Sequence, residues 1–474
     1  MSKRSFSLPS IRFLMILLIS CLGLRLLSLS LYPLMDTTEA RYGEMARIMF
    51  ETGDWITPMF DYNVPFWGKP PLFTWLSSLG FRLFGINEFA ARVPHLAVGT
   101  GVIGLVYLFA KNAFLSAKIG LFSAVLLAST FSFILLSGAV MTDTALTFSI
   151  TLSMISFWQA WSHRGKYWGY LFFVGLALGM LSKGPLAVVL IGMSLTLWLL
   201  PNGRWKRLWE VLPWGYGSLL FLLLSVPWYA MAEYKTPGFL DYFIVGEHIK
   251  RFIVSGWQGD LYGTAHERTR GTIWLYAFIS MLPWSPILLW QWVRSIQEGK
   301  DTEERSDGFG SFLLLWMIAP LLLFSFSGNI LASYTMPCLP PAALLLAHLH
   351  QQRPLPNWLY KVGVITPILL ITLVTTLHFE IIHPKSQKAI LTVWEQQAEA
   401  LESDLFFLHK RPFSGQYYSG GKAKKQQGEV TTWLPLQQRP FFIVQPKNAS
   451  TIYPDWTCTN RGETKKETLL FCTQ

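Results

Sequence analysis

Three cations stand in unusual company. Lys69 lies in Trp-Gly-Lys-Pro-Pro, Lys183 in Leu-Ser-Lys-Gly-Pro, and Arg251 in Gly-Glu-His-Ile-Lys-Arg-Phe. A lysine fixed between a glycine and a proline pair, beside aromatic residues, does not read as a solvated face. A lysine at a tight turn between two apolar runs must either snorkel or meet an anion. His248 and Arg251 stand at i and i+3, on one helical face. Carboxylates accompany them: Asp36 and Glu39 just ahead of Arg41 and Tyr42, and Asp143 in Val-Met-Thr-Asp-Thr-Ala-Leu. Each acid reads equally as a helix cap, and Tyr334 reads equally as an interface-belt residue. Cations aimed at a phosphate, with a carboxylate near a reacting hydroxyl, are the ingredients of group transfer from a phosphate leaving group.

The elements that must position these residues are apolar. The 474 residues are 51% hydrophobic and 15% aromatic, with only 14% charged, well under the share of an ordinary soluble domain. The apolar residues fall in long blocks, which predicts a polytopic α-helical membrane protein of about eleven spanning helices, or about thirteen if short segments count. The expected spans are 11–33, 92–110, 119–137, 143–161, 167–182, 184–201, 211–232, 271–293, 310–327, 330–349 and 359–378. The first reads as an uncleaved helix, because its apolar part is too long for a signal peptide and no small-residue cleavage site follows. The net charge of +11 is assigned to basic loops and phosphate-bearing lipids, and nucleic acid is excluded as a partner. The short basic connections all fall on one side, which the positive-inside rule makes cytoplasmic. Every polar cluster named above then falls on the opposite face.

Residues 1–378 are expected to form the membrane domain, with 34–91 as a long outer loop carrying two juxtamembrane helices. One runs from Thr38 to an end at Gly53, with Ala40, Met45, Ile48 and Met49 on its apolar face; the other starts at the Pro70–Pro71 pair. Trp55, Trp67 and Trp75 are expected to hold the loop at the interface. Arg47 and Arg82 read as headgroup anchors. Residues 379–474 are polar, with strand-like runs Asp-Leu-Phe-Phe-Leu and Pro-Phe-Phe-Ile-Val between Pro, Gly and Asn, and predict a small α/β domain outside the membrane. Cys458 and Cys472 could close a hairpin there or remain free thiols. Cys21 and Cys338 read as packing residues. No ligand set has diagnostic metal spacing, and pairs such as Glu247-His248 and His266-Glu267 are too common to count. The metal and any cofactor stay unknown, a divalent cation near the carboxylates being left open.

The ordered stretches Thr-Glu-Ala-Arg-Tyr-Gly-Glu, Phe-Trp-Gly-Lys-Pro-Pro-Leu, Val-Met-Thr-Asp-Thr-Ala-Leu, Leu-Ser-Lys-Gly-Pro, Gly-Glu-His-Ile-Lys-Arg-Phe and Ser-Gly-Asn-Ile-Leu-Ala-Ser-Tyr resemble the membrane GT-C glycosyltransferases. The likeness is greatest to bacterial lipid A aminoarabinose transferases, with protein mannosyltransferases as relatives. The resemblance implies an inner-membrane enzyme that takes a sugar from undecaprenyl phosphate, with inversion, on the periplasmic side. Its acceptor would be lipid A or another envelope glycolipid or glycan, its other partners the membrane lipids. It further implies that Lys69, Lys183 and Arg251 hold the donor phosphate, that Arg41, Tyr42, His248 and Tyr334 line the same cavity, and that Asp143 matches a family carboxylate. Two adjacent acids usually precede the Arg-Tyr pair in that family. Here Thr38-Glu39 stand in their place with Asp36 nearby, so the first-loop catalytic carboxylate is either Asp36 or Glu39. A protein glycosyltransferase with the same donor, and a transporter of the polyprenyl-linked sugar, are the competing readings.

Overall fold

The computed structural model describes residues 8–201, 203–254, 257–263, 268–297, 308–398, 403–408, 410–424, 437, 439–449, 453 and 455–474. His266, Glu267 and most of the basic connection after Arg294 lie outside these. In chain order the described elements begin with helices α1 (Ile11–Ser28) and α2 (Thr38–Thr52), strands β1 (Met59–Asp61) and β2 (Val64–Pro65), and helices α3 (Leu72–Phe84), α4 (Glu88–Ala113), α5 (Ala117–Ala128), α6 (Phe131–Ser137), α7 (Thr142–Trp161), α8 (Tyr167–Lys183), α9 (Pro185–Leu199), α10 (Trp205–Val211) and α11 (Trp214–Lys235). A π-helix, Asp241–Lys250, runs into α12 (Arg251–Ile253). Then follow α13 (Thr272–Ser280), α14 (Ser285–Gln297), α15 (Phe309–Ser325), α16 (Leu339–Gln352) and α17 (Ile365–His378), the last two each preceded by a 3₁₀ segment. The outer unit adds α18 (Lys388–Ala398), β3 (Asp404–Phe407), α19 (Phe413–Tyr418), β4 (Ala423–Lys424), β5 (Phe441–Pro446), β6 (Thr457–Glu463) and β7 (Glu467–Thr473).

Every span expected from the apolar runs coincides with helix, two of them as bent pairs: α5 with α6 at 75°, and α13 with α14 at 106°. Among the described residues four helices are long and apolar enough to cross a membrane, or six if each bent pair is one span. The chain is therefore a multi-pass membrane protein. The remaining spans are shorter or more polar, and α7 shows why that is tolerated. Nearly all of it is buried, including its many Ser and Thr residues, so its side chains meet other helices rather than lipid. Several of those hydroxyls turn back onto helix carbonyls, as Thr147 does to Asp143 O at 2.8 Å.

Local chemistry sets the helix ends. Ser10, Asn87 and Ser116 cap α1, α4 and α5 by accepting from backbone N–H groups. Gly53 ends α2 with φ 71°, the left-handed turn that only glycine enters without cost. The apolar face of α2 was expected to rest on the membrane; instead Ala40, Met45, Ile48 and Met49 are buried within the protein, packed under α3 and the outer unit. Arg47 likewise departs from the headgroup-anchor reading. It is buried, and its guanidinium is shared between Glu44 at 2.7 Å and Glu51 at 2.6 Å. Arg82 is exposed, as an anchor requires. The Trp residues tie the loop to protein as well. Trp67 donates to Thr236 Oγ1 at 3.1 Å, Trp75 to Trp55 O at 2.7 Å, and Trp228 of α11 to Ile56 O at 2.8 Å.

Residues beyond 379 build a mixed sheet ordered β4-β3-β5-β7-β6, parallel across β4-β3-β5 and antiparallel across β5-β7-β6. Strand alternation divides the core. Leu405, Phe407, Phe442 and Val444 face α18, while Phe406, Phe441 and Ile443 face Tyr453 and Trp456. Cys458 and Cys472 are cross-strand partners in the β6-β7 hairpin and are joined as a disulfide; Cys21 and Cys338 are free and buried.

The disulfide closes a loop with a sequence separation of 14. Replacing Cys458 with Ser is expected to lower the stability of the outer sheet by about 3 kcal/mol through loop entropy. Heat-dependent proteolysis of full-length protein should show the outer unit cut at lower temperature, and non-reducing peptide mapping should show the linked pair only in the unsubstituted chain.

Candidate functional site

Two remote cations share one carboxylate, and a third is paired with its own. Lys69, on the loop between β2 and α3, places Nζ 2.8 Å from Glu247 Oε2. Arg251 holds the same carboxylate, with its Nη1 2.9 Å from Oε1 and 3.0 Å from Oε2. Its other amino nitrogen lies 3.3 Å from Asp260 Oδ2. Lys183, at the end of α8, donates to Asp143 Oδ1 at 2.7 Å and sits 4.5 Å from the Tyr334 ring centroid. His248 joins the two halves. Its Nε2 is 3.0 Å from Lys183 O and its Nδ1 2.7 Å from Phe243 O. Only the imidazolium could donate to both, yet burial and the charge of Lys69 push its pKa down. Neutral His248 therefore makes one of these bonds at a time.

Local structure explains the convergence. Gly184 has φ 70°, and a Cβ there would fall 2.5 Å from the Phe243 ring; glycine lets the π-helix press against the Lys183 turn. The π-helix carries Glu247 and His248 and delivers Arg251 from its C-terminal end. Asn329 fixes Arg251 from the other side, donating to its carbonyl at 2.7 Å. The cluster is electrically balanced, with Lys69, Lys183 and Arg251 against Asp143, Glu247 and Asp260. Burial would push the Glu247 carboxyl up, but Lys69 and Arg251 override it and hold the pKa below the ordinary value.

The remaining expected residues lie beside this cluster or away from it. Arg41 donates to Tyr262 O at 2.9 Å and lies 5.0 Å from the Tyr42 ring centroid. Tyr262 follows Asp260 in the segment that faces Arg251, and its hydroxyl donates to Pro65 O and accepts from Trp67 N, so Arg41 belongs to the wall of the same site. Tyr42 is buried against Phe73, with centroids 4.4 Å apart, and supports that wall as a packing residue.

Glu39 and Asp36 are committed elsewhere. Glu39 receives Arg92 Nε at 2.8 Å and Nη2 at 2.7 Å, a two-pronged pair. Arg92 also donates to the carbonyls of Leu29, Tyr32 and Pro33. Burial would raise the Glu39 pKa; the Arg92 guanidinium more than reverses that and lowers it. Asp36 accepts from the Ser414 backbone N–H at 3.1 Å and from the Ser414 hydroxyl. Its burial outweighs those bonds and raises its pKa. Of the three expected catalytic carboxylates, Asp143 alone is in contact with one of the three cations.

Sequence reasoning set Glu247 aside as half of a common acid–histidine pair. Its i,i+4 spacing to Arg251 was the available signal; its contact with Lys69 spans 178 positions and has no local signature. Asp260 had no sequence signal. Among the described residues, no three His, Cys, Asp or Glu side chains gather as a metal site.

Comparison with known proteins bears on this geometry. The family model for dolichyl-phosphate-mannose-protein mannosyltransferase matches residues 10–243. The undecaprenyl phosphate-alpha-4-amino-4-deoxy-L-arabinose arabinosyl transferase of Pseudomonas aeruginosa (strain UCBPP-PA14) is 33% identical over 339 residues, covering 69% of this chain and 58% of that protein. The protein of the same name from Edwardsiella ictaluri is 31% identical over 317 residues, covering 65% and 54%. The chain thus spans a little over half the length of these relatives. In fold it is similar to the crystal structure of ArnT from Cupriavidus metallidurans bound to undecaprenyl phosphate, with TM-score 0.81 at 18% identity over 98% of each chain. It is more distantly similar to the Archaeoglobus fulgidus oligosaccharyltransferase, with TM-score 0.52 at 13% identity over 91% of this chain and 67% of that one.

The paired acids predict a pH profile. The folded pKa values of Glu39 and Glu247 lie below their unfolded values, so both pairs contribute stability above about pH 4.3 and lose it as pH falls through the folded values. The unfolding temperature of the detergent-purified protein is expected to begin falling as pH drops below the ordinary histidine value of about 6.5, where unfolded His248 gains a proton that the folded state resists, and to fall more steeply below about pH 4 through the two acids. Glu39→Gln, which strands Arg92, is expected to cost about 3–5 kcal/mol at neutral pH and to flatten the acid drop.

Proposed function

We propose that the chain is a glycosyltransferase of the membrane kind to which it is similar, the dolichyl-phosphate-mannose-protein mannosyltransferase model and the aminoarabinosyl transferases. It takes a sugar from an undecaprenyl-phosphate-linked donor and passes it to lipid A or another envelope glycolipid. The reaction lies on the periplasmic face of a bacterial inner membrane. The observation that carries this reading is the meeting of Lys69, Lys183 and Arg251 around Glu247, Asp143 and Tyr334.

The charge arithmetic suits the reaction. The donor is a phosphodiester with one negative charge. As the bond from the anomeric carbon to the phosphate oxygen breaks, the electron pair stays on that oxygen and the leaving phosphate gains a second charge. Lys69 and Arg251 are placed to bear it, and a cation fixed before reaction stabilises the late charge more than the early one. Phosphate leaves without a general acid. Attack by the acceptor oxygen on the opposite side of the sugar gives inversion. An acceptor hydroxyl must lose its proton, and Asp143, held by Lys183, is the carboxylate among the cations that can take it. An acceptor that is itself a phosphate needs no base, and Asp143 would then orient the sugar. Arg41, His248 and Tyr334 shape the wall.

Purified protein given undecaprenyl-phosphate-linked aminoarabinose and lipid A tests the reading. Lys69→Ala is expected to lower kcat/KM by at least about 100-fold, with unfolding temperature little changed. Asp143→Asn is expected to lower kcat more than it raises KM. Transfer at undiminished rate by the Lys69 variant would end the proposal.

A further inference from the structure

A cavity apart from the cation cluster opens where the end of α2 and the start of α4 meet α18 and α19. Its volume is about 810 Å³, within the range of clefts that hold a small organic molecule. Arg47 and Glu88 stand in its wall and are already engaged. Arg47 is shared by Glu44 and Glu51, and Glu88 takes Lys388 Nζ at 2.6 Å and the Tyr418 hydroxyl at 2.9 Å. Two charges are left over, one of each sign. Lys422 and Glu395 line the cavity, both exposed, and neither is in an ion pair among the described residues. Two neutral groups are left over as well. Trp394 and Tyr417 line the cavity and are buried, and neither the indole N–H nor the phenol hydroxyl has a hydrogen-bond partner among the described residues. A buried donor without an acceptor is costly, and a ligand oxygen nearby would remove that cost.

The surroundings say what kind of molecule fits. α4 is a membrane-crossing helix that starts at Glu88, so the cavity lies at the boundary of the hydrocarbon. Exposed Ile86 stands at its edge, and next to it Leu79, Leu83 and Phe84 are 48%, 65% and 53% exposed. Leu79 and Leu83 share one face of α3 by their i,i+4 spacing, which makes an apolar strip between cavity and bilayer. Two aromatic faces of the wall already carry cations. Lys422 Nζ lies 5.9 Å from the Trp394 ring centroid, and Lys388 Nζ lies 5.7 Å from that of Tyr418. A quaternary ammonium, which seeks open aromatic faces, would meet lysines there.

We propose that this cavity seats the headgroup of a zwitterionic phospholipid that carries a primary ammonium, a phosphatidylethanolamine. Its phosphate faces Lys422 and the Trp394 indole, its ammonium faces Glu395 and exposed Glu51, and its acyl chains run along Leu79, Leu83 and Phe84. One free cation and one free acid match the two charges of the headgroup. An anionic phospholipid would leave Glu395 unanswered, whereas a primary ammonium brings three N–H donors to the carboxylates. A lipid held there ties α18 and α19 of the outer unit to the ends of α2 and α4. The site takes no part in group transfer, and it stands whether or not the function proposed above does.

Binding is measured by native mass spectrometry on full-length, delipidated protein in detergent. The probes are phosphatidylethanolamine, phosphatidylglycerol and phosphatidylcholine with the same acyl chains, and a neutral N-acetylglucosamine tetramer. The unsubstituted protein should bind phosphatidylethanolamine at least about tenfold more tightly than the other two lipids, and the K422Q/E395Q variant should lose about that factor. Both substituted residues are exposed, so the fold should persist. Phosphatidylethanolamine should also shield Lys422 from acylation in the unsubstituted chain while Lys206 of α10, 93% exposed, stays reactive, a readout that no folding defect can imitate. Equal binding by the variant, equal binding of phosphatidylglycerol or phosphatidylcholine, or a Lys422 left unshielded would overturn the proposal. So would shielding of Lys422 by the neutral glycan in place of the lipid, which would make the cavity a sugar site.

Discussion

A guanidinium buried in a helix at the membrane boundary has to be fully satisfied, and Arg92 is satisfied in a way that fixes the first outer loop. Two of its contacts go to the Glu39 carboxylate, and three more go to carbonyls of the turn that leaves α1. Removing either charge would strand the other at large cost. One ion pair therefore sets where α1 ends, where α2 starts and how the loop carrying Arg41 and Lys69 lies over the helices. Lys69 reaches the cation cluster from that anchored loop, while Lys183 comes from the end of α8 and Arg251 from the end of the π-helix. The cluster repeats the same rule on a smaller scale, since Lys69, Arg251 and Lys183 are held in place by carboxylates. Glu247 and Asp143 keep the cations ordered while no phosphate is near. The arrangement is preorganised for an anion without leaving bare positive charges at the edge of the lipid.

Much of this architecture could be read from the chain. Apolar run lengths located the helices, Gly53 and the Pro70–Pro71 pair marked the ends of the loop helices, and Phe-rich runs between turn residues marked β3 and β5. These signals are local, and they survive because each helix or strand must hide its own apolar face. Lys69 and Lys183 stood out for a related reason, since each sits in a sequence context that makes a solvated cation implausible, while Arg251 stood out by its i,i+3 spacing to His248. What stayed hidden was pairing at a distance. Arg47 read as a lipid anchor because its partners Glu44 and Glu51 gave no hint that the outer unit would bury that face. Glu39 read as a catalytic acid because Arg92, 53 positions away, could not be matched to it from spacing. Glu247 was passed over although it is the carboxylate on which two of the cations close. The π-helix that carries it had no pattern of its own, since its residues would serve equally in an α-helix.

The outer unit is bound to the membrane domain by an apolar seam through Phe413 and Tyr417 and by polar contacts that reach back to the chain's first hundred residues. Ser414 meets Asp36, Arg411 meets Asp61, Lys388 meets Glu88, and the Tyr418 hydroxyl meets Glu88 at 2.9 Å while accepting from Leu34 N at 2.7 Å. These contacts span 300 to 384 positions. During synthesis the first loop consequently emerges long before the residues that complete it. A ribosome must reach residues 388–418 before Asp36 and Glu88 acquire these partners. Completion of the first loop is thus timed by α18 and α19, and a chain cut short before Lys388 would leave Asp36, Asp61 and Glu88 without these partners.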